Sequence, residues 1–174
     1  MSPGGDGWPS AAYQTLKAAG VRQVAFVPDA GLTELIRRCE EDREIRAVSL
    51  TTEEEGVAML AGAWLGGQRG VLLMQSSGVG NCVNMLALNQ ECRIPLLALI
   101  TMRGTYGEGN PWQVPMGQAA GRALALAGVI VHEVGRADEV GPTLAAAARL
   151  AFDSRRAAAV LVDQRVIGSK AFAR

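Results

Sequence analysis

The chain has 174 residues, 49% hydrophobic and 20% charged, and its 17 basic and 17 acidic side chains give a formal net charge of zero. This length suits one domain with a sizeable core, and the balanced charge argues against nucleic acid or an anionic membrane as the main partner. No apolar run reaches the roughly 18 residues that span a bilayer, while three scattered cysteines (Cys39, Cys82, Cys92) and a single histidine, His132, argue against a disulfide frame or a zinc site.

Residues 1–9 read as a loose tail on one domain over 1–174. The opening MSPGGDGWPS lacks the basic and apolar stretches of a secretory leader, which leads us to expect a cytoplasmic protein. A helix is predicted over 10–19, then a strand over 23–27, a helix over 31–42 and a strand over 45–50. The glutamate-led segment 53–65 predicts a helix, followed by a strand over 70–74, a helix over 80–90 and a strand over 95–100. A long loop over 101–118 precedes a helix over 117–127 and a strand over 129–132. A helix over 137–152 and a strand over 158–162 complete the series. Short Val, Ile and Leu runs alternating with amphipathic stretches imply parallel strands joined by helical crossovers. The expected fold is a doubly wound α/β domain, a three-layer sandwich around a parallel sheet of about six strands.

Ligands of such sheets collect at the carboxyl ends of the strands. Asp29 follows the first predicted strand, Glu53 the second, the run Gln75-Ser76-Ser77-Gly78-Val79-Gly80-Asn81 the third, and Arg103 the fourth. Four successive connections thus place acidic, hydroxylic and basic groups on one rim. Neither a GxGxxG dinucleotide fingerprint nor a Walker lysine is present in the glycine run, so by itself it could be no more than a tight turn between helix and sheet.

Three glutamates, Glu53, Glu54 and Glu55, open the apolar helix. At about 100° per residue, Val57, Leu60 and Trp64 lie within roughly 40° of Glu53. Glu53 therefore leads the large apolar stripe, and Glu54 and Glu55 lie off it, where acids complement a helix N-terminus and Thr51 or Thr52 can cap it. Burial of a carboxyl favours its protonated form, a condition for proton exchange in catalysis.

The segment from Glu53 to Trp64 resembles the glutamate signature of thiamine diphosphate enzymes, in their pyrimidine-binding domain, with Gly62 nine places on and the aromatic residue displaced by one. Ser77-Gly78-Val79-Gly80 resembles that family's Ser-Gly-Pro-Gly turn, with valine in place of proline. The EEEG and QSSGVGN blocks, with Asn84, are most similar to the α subunits of its sulfopyruvate decarboxylase branch. Val27-Pro28-Asp29-Ala30-Gly31 and Arg103-Gly104 with Val114-Pro115-Met116-Gly117 are similar to loops of the phosphonopyruvate decarboxylases. The resemblance covers roughly residues 13–166. It implies that Glu53 hydrogen-bonds the aminopyrimidine of thiamine diphosphate and promotes proton removal from its thiazolium carbon. It further implies a cofactor contact along Ser77, Gly78, Val79, Gly80 and Asn81, and a polar group, Asp29, facing the reacting carbon. Asp29 could equally be a helix cap. Arg103, with Ser76 and Asn84, would bind the second anionic group of a short 2-oxo acid, Arg103 through a bidentate contact, although a solvated loop charge is the alternative for Arg103.

The resemblance also implies a second domain that holds the diphosphate and Mg2+ through Gly-Asp-Gly and a later asparagine. Gly5-Asp6-Gly7 is not that motif, for no strand precedes it. The expectation is therefore a separate β subunit, a cofactor shared across the interface, self-association, and no decarboxylase activity in the isolated chain. The other readings are a non-catalytic binding or regulatory module that retains the fold and, more remotely, a flavodoxin-like nucleotide-binding domain.

Overall fold

A computed structural model describes residues 7–168. Eight α-helices and six strands alternate among these residues: α1 (Trp8–Ala18), β1 (Val21–Phe26), α2 (Thr33–Glu41), β2 (Arg46–Ser49), α3 (Glu53–Leu65), β3 (Arg69–Gln75), α4 (Val79–Cys82), α5 (Ala87–Cys92), β4 (Leu96–Thr101), α6 (Val114–Leu126), β5 (Ile130–Val134), α7 (Val140–Phe152), β6 (Ala157–Val162) and α8 (Gln164–Ile167). All five strand pairings are parallel, in the order β2-β1-β3-β4-β6-β5. This is the doubly wound α/β architecture expected from the alternation of strands and helices.

The strands are apolar on both faces because helices cover both. Val71 and Leu73 of β3, Leu97 and Leu99 of β4, and Ala158, Val160 and Val162 of β6 pack with Leu16, Leu35 and Leu144 of α1, α2 and α7. The intervening Leu72, Met74, Ala98, Ile100 and Leu161 turn the other way, onto Val57 and Leu60 of α3, Val79 and Cys82 of α4, and Leu124 of α6. A period of two divides each strand between two cores. Burying a leucine such as Leu72 or Leu97, both fully inaccessible, stabilises the fold by about 1.5–3 kcal/mol.

Gly56 sets how closely α3 lies on the sheet. A Cβ there would stand 2.5 Å from Leu72 Cδ1 and 2.8 Å from Leu50 Cδ1. Glycine costs a helix interior about 1 kcal/mol against alanine, and here that cost allows close approach. The first turn of α3, with Glu53, is thereby drawn down onto the ends of β1 and β3. That is also where the chain, having laid β2 on one side of β1, returns to lay β3 on the other, so Glu53 stands at the switch point of the sheet.

Some expectations need correction. The loose tail cannot include residues 8 and 9, because α1 starts at Trp8, which is buried, and Pro9 occupies its first turn, a position that needs no N–H. Gly5 and Asp6 lie outside the described residues. The helix expected over 80–90 is divided into α4 and α5. Ala87 N bonds Asn84 O (3.2 Å), Leu88 N bonds Met85 O (3.0 Å) and Asn89 N bonds Leu86 O (3.1 Å), so the middle of the segment is wound with the tighter i→i−3 spacing. His132, the single histidine, is half-buried, and its Nε2 is buried without a partner among the described residues. It shares a face of β5 with Val134, which points into the α7 side of the core. No described helix is long and apolar enough to cross a membrane.

Candidate active site

Helix α3 begins at the three glutamates, and each goes to a different place. Glu54 accepts from Thr52 Oγ1 (2.6 Å), and Glu55 accepts from the backbone N–H of Thr51 (2.9 Å), so both serve the helix N-terminus. Glu53 is 7% exposed. Its Oε2 accepts from Asn81 Nδ2 at 2.7 Å, and its carboxyl lies against the Cα of Gly78. A Cβ at position 78 would be 2.4 Å from the carboxyl carbon and from Oε1. Gly78 has φ −69° and ψ −18°, a backbone open to any residue, so space for Glu53 is what requires glycine here. Among the described residues Oε1 accepts no hydrogen bond. Gly80 faces α6 instead, where a Cβ would lie 3.2 Å from Met116 Sδ, and Val79 is buried in the core.

A second group of polar side chains joins the ends of β1, β3 and β4. Asp29 accepts from Gln75 Nε2 (2.7 Å) on one oxygen, and from Thr101 Oγ1 (2.7 Å) and Gly31 N (3.0 Å) on the other. Gln75 in turn accepts from Ser77 Oγ (3.0 Å). The chain Thr101–Asp29–Gln75–Ser77 fixes every partner: Asp29 only accepts, and Ser77 spends its proton inward, leaving its lone pairs to solvent.

Arg103 lies next to this group but is occupied. Its Nε and Nη2 form a bidentate pair with Glu108 at 2.7 and 2.8 Å, and the two side chains are 7% and 3% exposed. Glu108 also accepts from Gly104 N (3.3 Å), Asn110 N (3.0 Å) and Gln164 Nε2 (2.9 Å). The guanidinium, opposed in part by burial and aided by those backbone N–H groups, holds the Glu108 carboxyl down to about 2. Gln164 Oε1 accepts from Thr105 N and Tyr106 N (3.1 and 3.0 Å), so the long loop is pinned from α8. The backbone N–H of Arg103 donates to Ser76 Oγ (3.0 Å), a hydroxyl that is fully buried.

The structure thus brings Glu53, Gly78 and Asn81 together, links Asp29 to Ser77 through Gln75, and ties Ser76 to Arg103. Asn84 stands apart, exposed on the turn between α4 and α5. Gln75, Thr101, Glu108 and Gln164 were not singled out from the sequence. Gln75 opens the glycine run and could have been noticed there; Gln164 is 56 residues from Glu108, and no local pattern announces such a contact. Cys82, beside Asn81, is inert filler: burial, reinforced by the charges of Glu53 and Glu54, pushes its thiol up to about 12. A cleft of about 580 Å³ lies on the other half of the rim, between α6 and the ends of β5 and β6, and does not include Glu53.

Fold and site together define an α/β domain that offers a largely buried carboxyl with one hydrogen bond at the carboxyl ends of its strands. The chain belongs to the thiamine pyrophosphate enzyme family, as its N-terminal TPP binding domain, whose sequence profile matches residues 10–121. It is 33% identical over 154 residues to the sulfopyruvate decarboxylase subunit alpha of Methanococcus maripaludis, covering 88% of this chain and 92% of that one. It is 42% identical over 113 residues to the phosphonopyruvate decarboxylase of Streptomyces hygroscopicus, covering 64% of this chain but 28% of that longer protein. Among solved structures, the 2-oxoglutarate:ferredoxin oxidoreductase of Magnetococcus marinus superposes with a TM-score of 0.75 at 17% identity, over 92% of this chain and 29% of that one. That last likeness is one of fold.

Proposed function

We propose that this chain is the α subunit of a thiamine diphosphate-dependent 2-oxo acid decarboxylase that acts on sulfopyruvate or phosphonopyruvate. A separate β subunit would bind the diphosphate and Mg2+. The observation that carries the reading is Glu53: a buried carboxyl with one oxygen oriented by Asn81 and the other free, in a space that only glycine at 78 leaves open. These residues fit the pyrimidine end of the cofactor, whose ring nitrogen needs a carboxyl partner withdrawn from water.

Bound thiamine diphosphate supplies a carbon nucleophile and an electron sink for the pair left behind by CO2. Glu53 holds and returns a proton at Oε1. Asn81 orients the carboxyl, and Ser77, Val79 and Gly80 continue the cofactor wall. Asp29, oriented by three donors, would present its carboxyl on the substrate side. Arg103 keeps Nη1 uncommitted after its pair with Glu108, and this donor would meet the sulfonate or phosphonate, with Ser76 supporting it and Asn84 at the outer edge. Trp112, 88% exposed on the loop beside the site, offers the β subunit an aromatic anchor of the kind that dominates interfaces. Self-association and a cytoplasmic location belong to the same reading, the latter in keeping with three free cysteines.

The test is co-expression with a β subunit and assay of decarboxylation with both 2-oxo acids. Glu53→Gln should assemble normally and lose turnover on the order of a hundredfold or more. Wild-type rates in that variant would remove Glu53 from the chemistry and the proposal with it.

A further inference from the structure

The loop after β4 leads onto the face of the sheet covered by α6, and the loop after β5 leads onto the face covered by α7. Strand β6 lies between β4 and β5, so the two connections part around its carboxyl end. Crevices between diverging connections are where parallel sheets take ligands. The cleft of about 580 Å³ stands here, floored by Met102, Val131 and Leu161, and its size suits a small organic molecule. None of Asp29, Glu53 and Arg103 lines it.

Gly121, in the interior of α6, faces this cleft. One turn back, Gly117 is required by packing, because a Cβ there would overlap the backbone O of Arg103. Gly121 is not required in that way. A Cβ would stand 3.4 Å from Leu161 Cδ1 and 3.6 Å from Glu133 Oε1, both ordinary contacts. Glycine destabilises a helix interior relative to alanine, and nothing in the packing accounts for it here; what it leaves is room beside the Glu133 carboxyl. Two side chains at this point keep their charge uncommitted. Glu133 forms no hydrogen bond or ion pair among the described residues. Arg122 donates from Nη2 to Gln118 O at 3.2 Å and keeps Nε and Nη1. The remaining charges on the wall cancel, for Arg165 Nε pairs with Asp163 Oδ1 at 2.9 Å. One carboxylate and one guanidinium, not paired with each other, are thus left over an apolar floor.

We propose that this cleft binds a free α-amino acid with a large apolar side chain, such as leucine or phenylalanine. Glu133 takes the ammonium, Arg122 takes the carboxylate, and the side chain lies on Met102, Val131 and Leu161. The room at Gly121 receives the amino acid's backbone. A zwitterion matches one charge of each sign. A simple anion would set a second negative charge beside Glu133, and a simple amine would leave the guanidinium unmet. This site uses none of the residues of the decarboxylase reading and stands or falls apart from it.

The experiment is calorimetric titration and thermal unfolding of the full chain at neutral pH with L-leucine and L-phenylalanine. Control arms use glycine, isoamylamine (leucine without its carboxylate) and isocaproate (leucine without its ammonium). Leucine or phenylalanine should bind saturably, with a Kd on the order of 0.1–1 mM for so small a ligand in a half-open site, and raise Tm. Each control should bind at least about tenfold more weakly, for loss of one charge-assisted contact or of the buried side chain. Gly121→Leu should keep or raise the Tm of the free chain, since leucine is the better helix former, and should abolish binding by filling the cleft. Glu133→Gln should weaken leucine binding at least about tenfold. No saturation with either amino acid by about 20 mM, an affinity for isoamylamine or isocaproate equal to that for leucine, or unchanged binding by Gly121→Leu would each overturn the assignment. The ligand panel, run on the wild-type chain, decides the matter even if a variant folds poorly.

Discussion

Glu53 and Glu108 are both withdrawn from water, one at the switch point of the sheet and the other in the loop after β4, and the fold treats them in opposite ways. Glu108 accepts five hydrogen bonds, two of them from the guanidinium of Arg103. Glu53 accepts one, from Asn81, and faces the bare backbone of Gly78. A carboxylate that holds a loop together is saturated with donors, because any unmet lone pair in a dry site costs free energy. Glu53 has one oxygen without a donor, and that oxygen is not sealed from solvent, so nothing forces the protein to satisfy it. The same contrast explains why Arg103, attractive in the sequence as an anion receptor, commits its Nε and Nη2 to Glu108.

Breaking the saturated site should produce the largest change in stability. Glu108→Gln keeps the shape of the side chain but strands the Arg103 charge, and should cost about 3–5 kcal/mol in urea unfolding. A loss below 1 kcal/mol would mean that the loop does not depend on the pair. The pH dependence sharpens this. Arg103 holds Glu108 at about 2, against 4.5 for the free side chain. The folded value is the lower one, so the contribution is fully present above 4.5 and disappears as pH falls toward 2. The stability gap between wild type and Glu108→Gln should therefore be widest near neutrality and close in acid.

Crowding the available site should leave the fold standing and remove activity. Gly78→Ala has an unstrained backbone but puts a methyl 2.4 Å from the Glu53 carboxyl. We expect the variant to keep its circular dichroism spectrum while the reconstituted enzyme loses turnover by about a hundredfold, roughly 2.7 kcal/mol of barrier. Unchanged turnover would show that Glu53 can do its proposed work from elsewhere. Asn81→Ala should have the smallest effect. It frees the carboxyl without displacing it, so a loss of about tenfold in turnover, near 1.4 kcal/mol, is expected, with a change in unfolding free energy under about 1 kcal/mol. Equal losses of stability and rate would instead make Asn81 a structural residue.

Much of the architecture could be read from local pattern. Val71, Leu72, Leu73 and Met74 are apolar without alternation, which marks a strand covered on both faces, and that is where β3 lies. The stripe Val57, Leu60 and Trp64 placed Glu53 at the head of a buried face, and the structure buries Glu53 while leaving Glu55 exposed. Trp64 shows the limit of the wheel, since its ring turns away from the α3 side of the sheet and stacks on Phe152 of α7, 6.4 Å between centroids. The division between α4 and α5 escaped notice because Val79, Cys82 and Leu86 keep a helical spacing whether the backbone winds by i→i−4 or i→i−3.

The sequence by itself determined the order of strands and helices, the doubly wound class and the burial of Glu53 rather than its two neighbours, since each depends on the spacing of neighbours along the chain. Tertiary structure alone decided that Gly78 is the wall behind that carboxyl, that Asp29 is locked by Gln75 and Thr101, and that Glu108, the partner of Arg103, is itself held by Gln164. Those outcomes depend on side chains tens of residues apart meeting at the ends of parallel strands, and hydrogen-bond geometry between distant groups leaves no periodic trace in a sequence.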